Sequence, residues 1–352
     1  MSKDEGDAPS DAAMTALRAP LPERPASPLA RLSEALADRL RAVDGLLSDH
    51  LNSSTRLIPQ VAAHLIAAGG KRVRPVLTLA AARLCGYEGG EHDIRLAASV
   101  EFIHTATLLH DDVVDGSAQR RGRPAANLLF GNKPSILVGD FLFSRAFQLM
   151  VETGSLDVLR ILSDASAVIS EGEVMQLSTA NNLATTPDEH LAVIRAKTAA
   201  LFAAAAEVGG VIAGASPAQC AALATYGDRL GIAFQLADDA LDYAGSAGRT
   251  GKDAGDDFRE GKVTAPVLHA FAAARDEEAD FWRRTIEKRD QRDGDLERAV
   301  ALMAKHRAVE AALDDARRYA AEARAALEEA FAPGEIRDDL AALVTYVVER
   351  DR

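Results

Sequence analysis

Residues 91–115, EHDIRLAASVEFIHTATLLHDDVVD, decide how this chain folds. The stretch lies between glycine-containing breaks and has the pattern of one continuous, mostly apolar helix. Its last five residues form an acidic motif, Asp111-Asp112-x-x-Asp115, referred to below as the first acidic motif. The sequence therefore predicts a buried helix that carries three carboxylates at one end.

The rest of the chain shows the same helical periodicity. Between Arg31 and Leu51, apolar residues recur every three or four positions, as on the buried face of an amphipathic helix. No stretch alternates apolar and polar residues over the length of a strand. The predicted fold is all-α, a single large helical bundle over 29–352, preceded by a disordered, proline-containing tail over 1–28. Further helical runs are predicted at 54–68, 75–85, 134–151, 155–179, 188–213, 218–243 and 277–350.

The composition excludes several classes of function. The 352 residues include 53 Asp and Glu against 40 Lys and Arg, and the net charge of −13 argues against non-specific nucleic-acid binding. The apolar stretch 199–218 consists largely of Ala and Gly and is interrupted by Glu207, so no transmembrane segment is predicted. Cys85 and Cys220 lack any metal-binding spacing, and we interpret them as reduced core thiols of a cytoplasmic protein.

A second acidic motif, Asp238-Asp239-x-x-Asp242, repeats the pattern of the first. Within each motif the first and last aspartates are four residues apart, which places them on one face of a helix. Carboxylates on apolar helices are costly to bury unless a cation is present, and oxygen ligands suit Mg²⁺ that also binds a substrate phosphate. Two such motifs facing each other would hold a diphosphate. The alternative is two solvated acidic faces.

Basic residues accompany both acidic motifs. The segment 69–75, GGKRVRP, opens a helix, and the N-terminus of a helix favours an anion, to which Lys71 and Arg74 add charge. His104 lies seven residues before Asp111 and so on nearly the same face, which favours a substrate contact over a core role. The other basic candidates are Arg120, Arg121, Lys197, Lys252 and Lys262.

These segments resemble those of the trans-isoprenyl diphosphate synthases, the head-to-tail polyprenyl synthase family, and in particular its long-chain members. The resemblance covers about 69 to 267 in family order, whereas the C-terminal helices match only in helical character. It implies an all-α fold around a deep central cavity, usually in a homodimer. The matching segments are GGKRVRP at 69–75, LLHDDVVDGSAQRRGRP at 108–124, GDFLFSRAF at 139–147, EGEVMQL at 171–177, KTAALF at 197–202, GIAFQLADDALD at 231–242 and GKDAGDDFREGKVTAPV at 251–267.

The resemblance also implies a role for each matching residue. Magnesium, about three ions for each active site, would be bound by Asp111, Asp115 and Asp238, with Asp112, Asp239 and Asp242 in support. Isopentenyl diphosphate would be bound by Lys71, Arg74, His104 and Arg121. The allylic diphosphate would be bound by Arg120, Lys197, Thr198, Gln235, Lys252 and Lys262. No side chain is assigned as the base, because the family's usual proposal is the released diphosphate.

The length of the product is a separate inference. Ala106 and Thr107 lie five and four residues before Asp111, which is about 6 to 7.5 Å along the helix. Short-chain members of the family carry bulky aromatics near there, so Ala106 predicts an open cavity. We therefore expect a long all-trans product of about eight to ten isoprene units by family analogy, as used for quinone side chains. The alternatives are another residue that closes the cavity, and a product of only three or four units.

Two other functions remain open. A terpene cyclase or head-to-head condensing enzyme shares the helical architecture but lacks the GGKRxRP segment. A non-catalytic partner subunit of a heteromeric synthase tends to lose an acidic motif or a lysine, and both are present here. The favoured reading is a cytoplasmic, homodimeric prenyltransferase of the EC 2.5.1 kind, with the glycine-bearing segment 245–261 closing over substrate. It would make only weak membrane contact, for product release.

Overall fold

The computed structural model describes residues 26–67, 70–120, 122–244 and 255–349. Arg121, Lys252 and most of the predicted tail and closing segment lie outside these ranges. The α-helices are α1 (Pro28–Ala35), α2 (Ala37–Leu51), α3 (Leu57–Ala67), α4 (Val73–Leu84), α5 (His92–Val114), α6 (Ala126–Phe130), α7 (Asn132–Val151), α8 (Leu156–Thr179), α9 (Pro187–Ile194), α10 (Ala200–Ile212), α11 (Pro217–Ala244), α12 (Asp256–Glu260), α13 (Ala265–Ala273), α14 (Glu277–Trp282), α15 (Asp295–Lys305), α16 (Ala308–Ala330) and α17 (Glu335–Glu349).

Some helices begin where the sequence supplies a side-chain cap. Helix α1 starts at Pro28, one residue before the predicted bundle boundary, and the Ser27 hydroxyl accepts a hydrogen bond from the amide of Ala30 at 3.2 Å. Helix α9 starts at Pro187 behind a capping box, in which Thr186 and Glu189 each bond the other's backbone amide. These local signals explain why the observed starts of α1 and α9 lie within a few residues of the predicted ones.

The all-α prediction is confirmed, and the core consists of two hydrophobic clusters. The larger cluster joins the long helices α5 and α11 to α2, α4, α7, α8, α10, α16 and α17. The smaller cluster surrounds the fully buried Trp282 and draws its side chains from the end of α11 and from α12 to α16. No helix within the described residues is long and apolar enough to cross a membrane.

The structure departs from the sequence expectations in three places outside the regular helices. The predicted run 188–213 is interrupted by a π-helical segment, Arg195–Ala199, which we call the π turn. A second π-helical segment, Arg283–Glu287, follows α14. The loop after α5 contains a two-stranded antiparallel hairpin, β1 (Gln119–Arg120) and β2 (Arg123–Pro124), although no sheet was predicted.

The two cysteines are free thiols, as expected, and Cys85 packs against the larger hydrophobic cluster. Cys85 caps the end of α4 and Cys220 lies in the first turn of α11, and both are half-buried because helix ends reach the surface. Both thiols are free, and burial, followed by the charge of Cys220, raises the pKa of Cys85 to about 11. A thiol with a raised pKa is a poor nucleophile.

Candidate active site

Helix α5 carries the first acidic motif in its C-terminal turn. Asp111 and Asp112 are buried, whereas Asp115 is exposed and caps the helix through a 2.8 Å hydrogen bond from its amide to the Asp111 carbonyl. Arg120, on strand β1, donates through Nε to Asp112 at 2.7 Å and thus holds the hairpin against the motif. The predicted allylic-site residue Arg120 therefore contacts the motif directly.

Close packing of α5 against α7 fixes the start of this motif. His110 stacks on Phe143, and its Nε2 lies 3.1 Å from the carbonyl oxygen of Ile136. A β-carbon at Gly139 would lie only 2.3 Å from the same nitrogen, so only glycine leaves room for the ring. The residue next to Asp111 is thereby held by three groups of α7.

Helix α11 carries the second acidic motif, also near its C-terminal end. Asp238 is exposed, and Asp239 and Asp242 are buried. The Asp242 carboxylate accepts a 3.1 Å hydrogen bond from the amide of Asp257 at the start of α12. His190 of α9 lies behind the motif, with its Nε2 3.8 Å from an Asp239 oxygen.

The two acidic motifs are joined through the π turn. Lys197 Nζ lies 3.6 Å from Asp111 Oδ2 and donates to Glu173 of α8 at 3.0 Å. The hydroxyl of the next residue, Thr198, donates to Gln235 Oε1 at 3.0 Å, and Gln235 Nε2 donates in turn to Asp239 at 2.8 Å. Two neighbouring residues of the chain therefore connect to different motifs, Lys197 directly and Thr198 through Gln235.

A second link runs through Lys262, which follows α12. Its Nζ lies 2.5 Å from Glu260 and 3.7 Å from Asp257, beside the second motif. Burial alone would lower the pKa of Lys262, but these two carboxylates, together with Asp115 of the first motif, raise it above the usual range. The influence of Asp115 indicates that Lys262 lies near the first motif as well as beside the second.

Burial controls the ionisation of this site. It raises the pKa of Asp111 to about 7, an effect that Lys197 opposes and Glu173 reinforces. It likewise raises the pKa of Asp257 to about 7 against the influence of Lys262, and that of Asp239 well above its usual range. Burial, followed by the charge of His269, lowers the pKa of His190 to about 4. Burial therefore disfavours the charged form of each of these groups.

The residues present fit a divalent cation. Both motifs occupy C-terminal helix turns, where the negative end of the helix dipole favours a cation. The Oδ2 atom of the fully buried Asp112 has no hydrogen-bond partner. No three His, Cys, Asp or Glu side chains within the described ranges form a complete metal-binding group by themselves. The ligand set of the two motifs contains only carboxylates and leaves coordination positions open. Such a set suits a hard cation that keeps some of its waters and binds phosphate oxygens.

The predicted isopentenyl diphosphate residues lie at the start of α4 and on α5. Lys71 is exposed, and the Arg74 guanidinium lies 4.4 Å from the centre of the Phe202 ring. Between them, Arg72 adopts a left-handed backbone with φ 48°, forms an ion pair with Glu101 of α5 and lies 3.2 Å from Asp44. Glu101 is one turn before the half-buried His104, so this ion pair connects the two elements.

Several residues of this site were not identified from the sequence. Glu173 lies within the quoted segment 171–177 but received no role, because nothing local indicates its bond to Lys197. Glu101, Asp257 and His190 likewise become visible only through contacts between helices. An acidic residue inside an otherwise apolar helix, as at Glu101, was the one available signal.

The chain-length residues lie one turn before the first motif. Ala106 is fully buried in the main core, whereas Thr107 is half-buried and its hydroxyl donates to the His104 carbonyl at 2.8 Å. The half-buried residues His104, Thr107 and Leu108 face the same side as Asp111. The deep cavity and its floor at Ala106 stay predictions.

Comparison with known proteins identifies the family. The model of the family described as "Polyprenyl synthetase" matches residues 55–303. The chain belongs to the polyprenyl synthetase family. This finding confirms the resemblance seen in the sequence and the assignment to prenyltransferases of the EC 2.5.1 kind.

The polyprenyl synthetase relatives include long-chain enzymes. An octaprenyl diphosphate synthase from Escherichia coli is 48% identical over 260 residues, which is 74% of this chain and 80% of that protein. A crystal structure of a decaprenyl diphosphate synthase from Rhodobacter capsulatus is 58% identical, covers 92% of this chain and 99% of its own, and has a TM-score of 0.88. A polyprenyl synthase from Caulobacter crescentus, complexed with calcium and isoprenyl diphosphate, is 51% identical, covers 94% and 100%, and has a TM-score of 0.89.

Proposed function

We propose that this chain condenses an allylic prenyl diphosphate head-to-tail with successive isopentenyl diphosphate units to give a long all-trans polyprenyl diphosphate. The observation that carries the proposal is the bridge through the π turn. Lys197 contacts Asp111 of the first acidic motif, and Thr198 connects through Gln235 to Asp239 of the second. An anion held between two carboxylate groups needs such cationic and hydrogen-bonding contacts.

The residues of the site would promote departure of the allylic diphosphate. The charge that develops on a leaving diphosphate is stabilised by positive groups placed in advance in a buried site. The basic candidates within the described residues are Lys197, Arg120 and Lys262. Each already contacts a carboxylate and would also contact the bound anion. Lys71, Arg74 and His104 would hold isopentenyl diphosphate beside the resulting allylic cation. The surrounding apolar helices would exclude water that could trap this cation.

Divalent metal is part of this proposal, with Mg²⁺, about three ions, as the expected species. Asp111, Asp115 and Asp238 would bind the ions together with diphosphate oxygens, and Asp112, Asp239 and Asp242 would support them. When bound, the metal neutralises the leaving diphosphate. The calcium in the Caulobacter crescentus relative supports a divalent cation here.

We further propose a product of about eight to ten isoprene units, of the kind attached to respiratory quinones. Support comes from relatives named as octaprenyl and decaprenyl diphosphate synthases, at 48% and 58% identity. Relatives named as short-chain isoprenyl and geranylgeranyl diphosphate synthases match at only 36% and 34%. Ala106, which has no bulky side chain to close the cavity, agrees with the longer product.

The enzyme is proposed to act as a homodimer in the cytoplasm, with weak membrane contact when the lipid product leaves. Eleven of the fourteen exposed large hydrophobic side chains in the described residues lie between 126 and 179, on α6 to α8. On α7, Ile136, Leu137, Phe147 and Val151 share one face. Clustered exposed apolar residues are typical of subunit interfaces, and a two-fold dimer would bury the same face on both copies. A Leu137→Glu variant should run as a monomer in sedimentation, whereas Val300→Glu should not change the mass.

One incubation tests the reaction. Purified protein is mixed with Mg²⁺, labelled isopentenyl diphosphate and a short allylic primer, and the products are sized by chromatography. Long prenyl chains extractable into organic solvent support the proposal, and three- or four-unit chains would support the short-chain alternative. A cyclic hydrocarbon would indicate a cyclase, and no product from any primer would indicate a partner subunit.

A further inference from the structure

The π turn occupies the centre of the candidate site. The amide of Ala200 donates to the carbonyl of Arg195, five residues back, where an α-helix would use four. Such an insertion changes the direction of the side chains that follow, and π-helical turns are frequent at functional sites. Here it contains Lys197, which contacts the first acidic motif, and Thr198, which connects to the second through Gln235.

Helix α8 lies against one side of the π turn at Gly172. A β-carbon at Gly172 would lie 2.7 Å from the Ala196 β-carbon and 3.0 Å from the Lys197 backbone nitrogen. The next residue, Glu173, accepts the hydrogen bond from the Lys197 ammonium. One dipeptide of α8 therefore fixes both the backbone and the side chain of Lys197.

Helix α11 packs against another side of the π turn in the same way, at Gly231. A β-carbon there would lie 2.6 Å from the Ala199 α-carbon, a backbone atom that cannot move aside without shifting the helix. One turn further along α11, Gln235 accepts the hydrogen bond from the Thr198 hydroxyl. Each neighbouring helix thus contributes a glycine that allows close approach and a polar residue that orients one side chain.

We propose that Gly172 and Gly231 are positioning residues of the allylic diphosphate site. Their missing side chains let α8 and α11 hold the π turn so that Lys197 points to the first acidic motif and Thr198 to the second. Neither glycine has a backbone conformation that requires glycine, since neither has a positive φ, so close approach is the reason for glycine at both positions. The proposal rests on the proposed function, because it assigns the π turn to the diphosphate that leaves.

The test compares three alanine variants in the full chain. Gly172→Ala should raise the KM for the allylic primer about tenfold, because small displacements of a positioned group strongly weaken binding in the reacting geometry, and should leave the KM for isopentenyl diphosphate unchanged. Gly209→Ala is the crowded control, since its methyl group would meet Thr78 and Ala82 backbone atoms at 2.5 and 2.9 Å, outside the π turn. Gly45→Ala is the open control, with nothing within 4 Å of the new methyl group.

A double variant separates an effect on primer binding from a general loss of folding stability. Gly172→Ala with Ala196→Gly deletes the atom at 2.7 Å and should recover part of the primer affinity. The proposal would be overturned if Gly172→Ala and Gly209→Ala had the same KM for the primer when equal fractions of the two proteins are folded. If the wild-type chain makes no product, the proposed function fails separately. Calorimetric binding of inorganic diphosphate with Mg²⁺ then decides the positioning role, which is supported only if Gly172→Ala binds more weakly than Gly209→Ala.

Discussion

Replacing Asp111 with Asn should stabilise the metal-free protein while abolishing its activity. Burial raises the pKa of this carboxyl from 3.8 to about 7, so the ionised form is less stable in the folded chain than in the unfolded chain. At 1.36 kcal/mol for each pH unit, this difference corresponds to at most about 4 kcal/mol. Because buried sites relax and admit water, we expect a gain of about 2 kcal/mol for Asp111→Asn at pH 8.

The pH dependence of the gain follows from the sign of this shift. The folded chain binds the proton more tightly than the unfolded chain, so Asp111 makes the wild-type protein progressively less stable as pH rises from about 4 to about 7. Above pH 7 the effect is constant. The advantage of Asp111→Asn should therefore be largest at pH 8 and about a third as large at pH 5.

Thermal unfolding in EDTA measures this effect. At pH 8 the melting temperature of Asp111→Asn should exceed that of the wild type by about 3 °C. Asp115→Asn is the matched control, because Asp115 belongs to the same motif but is exposed, and it should change the free energy of unfolding by less than about 0.5 kcal/mol. Adding Mg²⁺ and diphosphate should stabilise the wild type more than Asp111→Asn. An unchanged or lower melting temperature for Asp111→Asn, or a gain independent of pH, would refute the reasoning.

Three further predictions concern the basic residues and the product. Lys197→Met keeps the bulk of the side chain but removes the charge shared with two carboxylates, so steady-state turnover should fall at least about 100-fold, and near wild-type turnover would contradict the bridge. Ala106→Phe, at a fully buried position, should shorten the product on chromatography, and an unchanged chain length would place the cavity floor elsewhere. Arg72→Gln breaks the ion pair with Glu101 and should raise the KM for isopentenyl diphosphate about tenfold at constant primer KM, whereas Arg41→Gln at an exposed pair should alter neither value.

The sequence by itself determined the helices and the chemical character of the site. Capping residues, prolines and apolar periodicity are local signals, and they located most helix ends within a few residues. The spacing of Asp111 and Asp115 placed both carboxylates on one helix face without reference to any other segment. The matching segments between 69 and 267 also established the family.

Only the tertiary structure decided which of these residues meet. Lys197 and Thr198 are adjacent in the chain, yet one contacts α5 and the other contacts α11, because neighbouring side chains of a helical turn point in different directions and the two helices pack on different sides of the π turn. No local pattern predicts this turn, since it depends on how closely α8 and α11 approach at Gly172 and Gly231. The bond between Lys197 and Glu173 has the same origin: it joins residues 24 positions apart whose distance is set by helix packing.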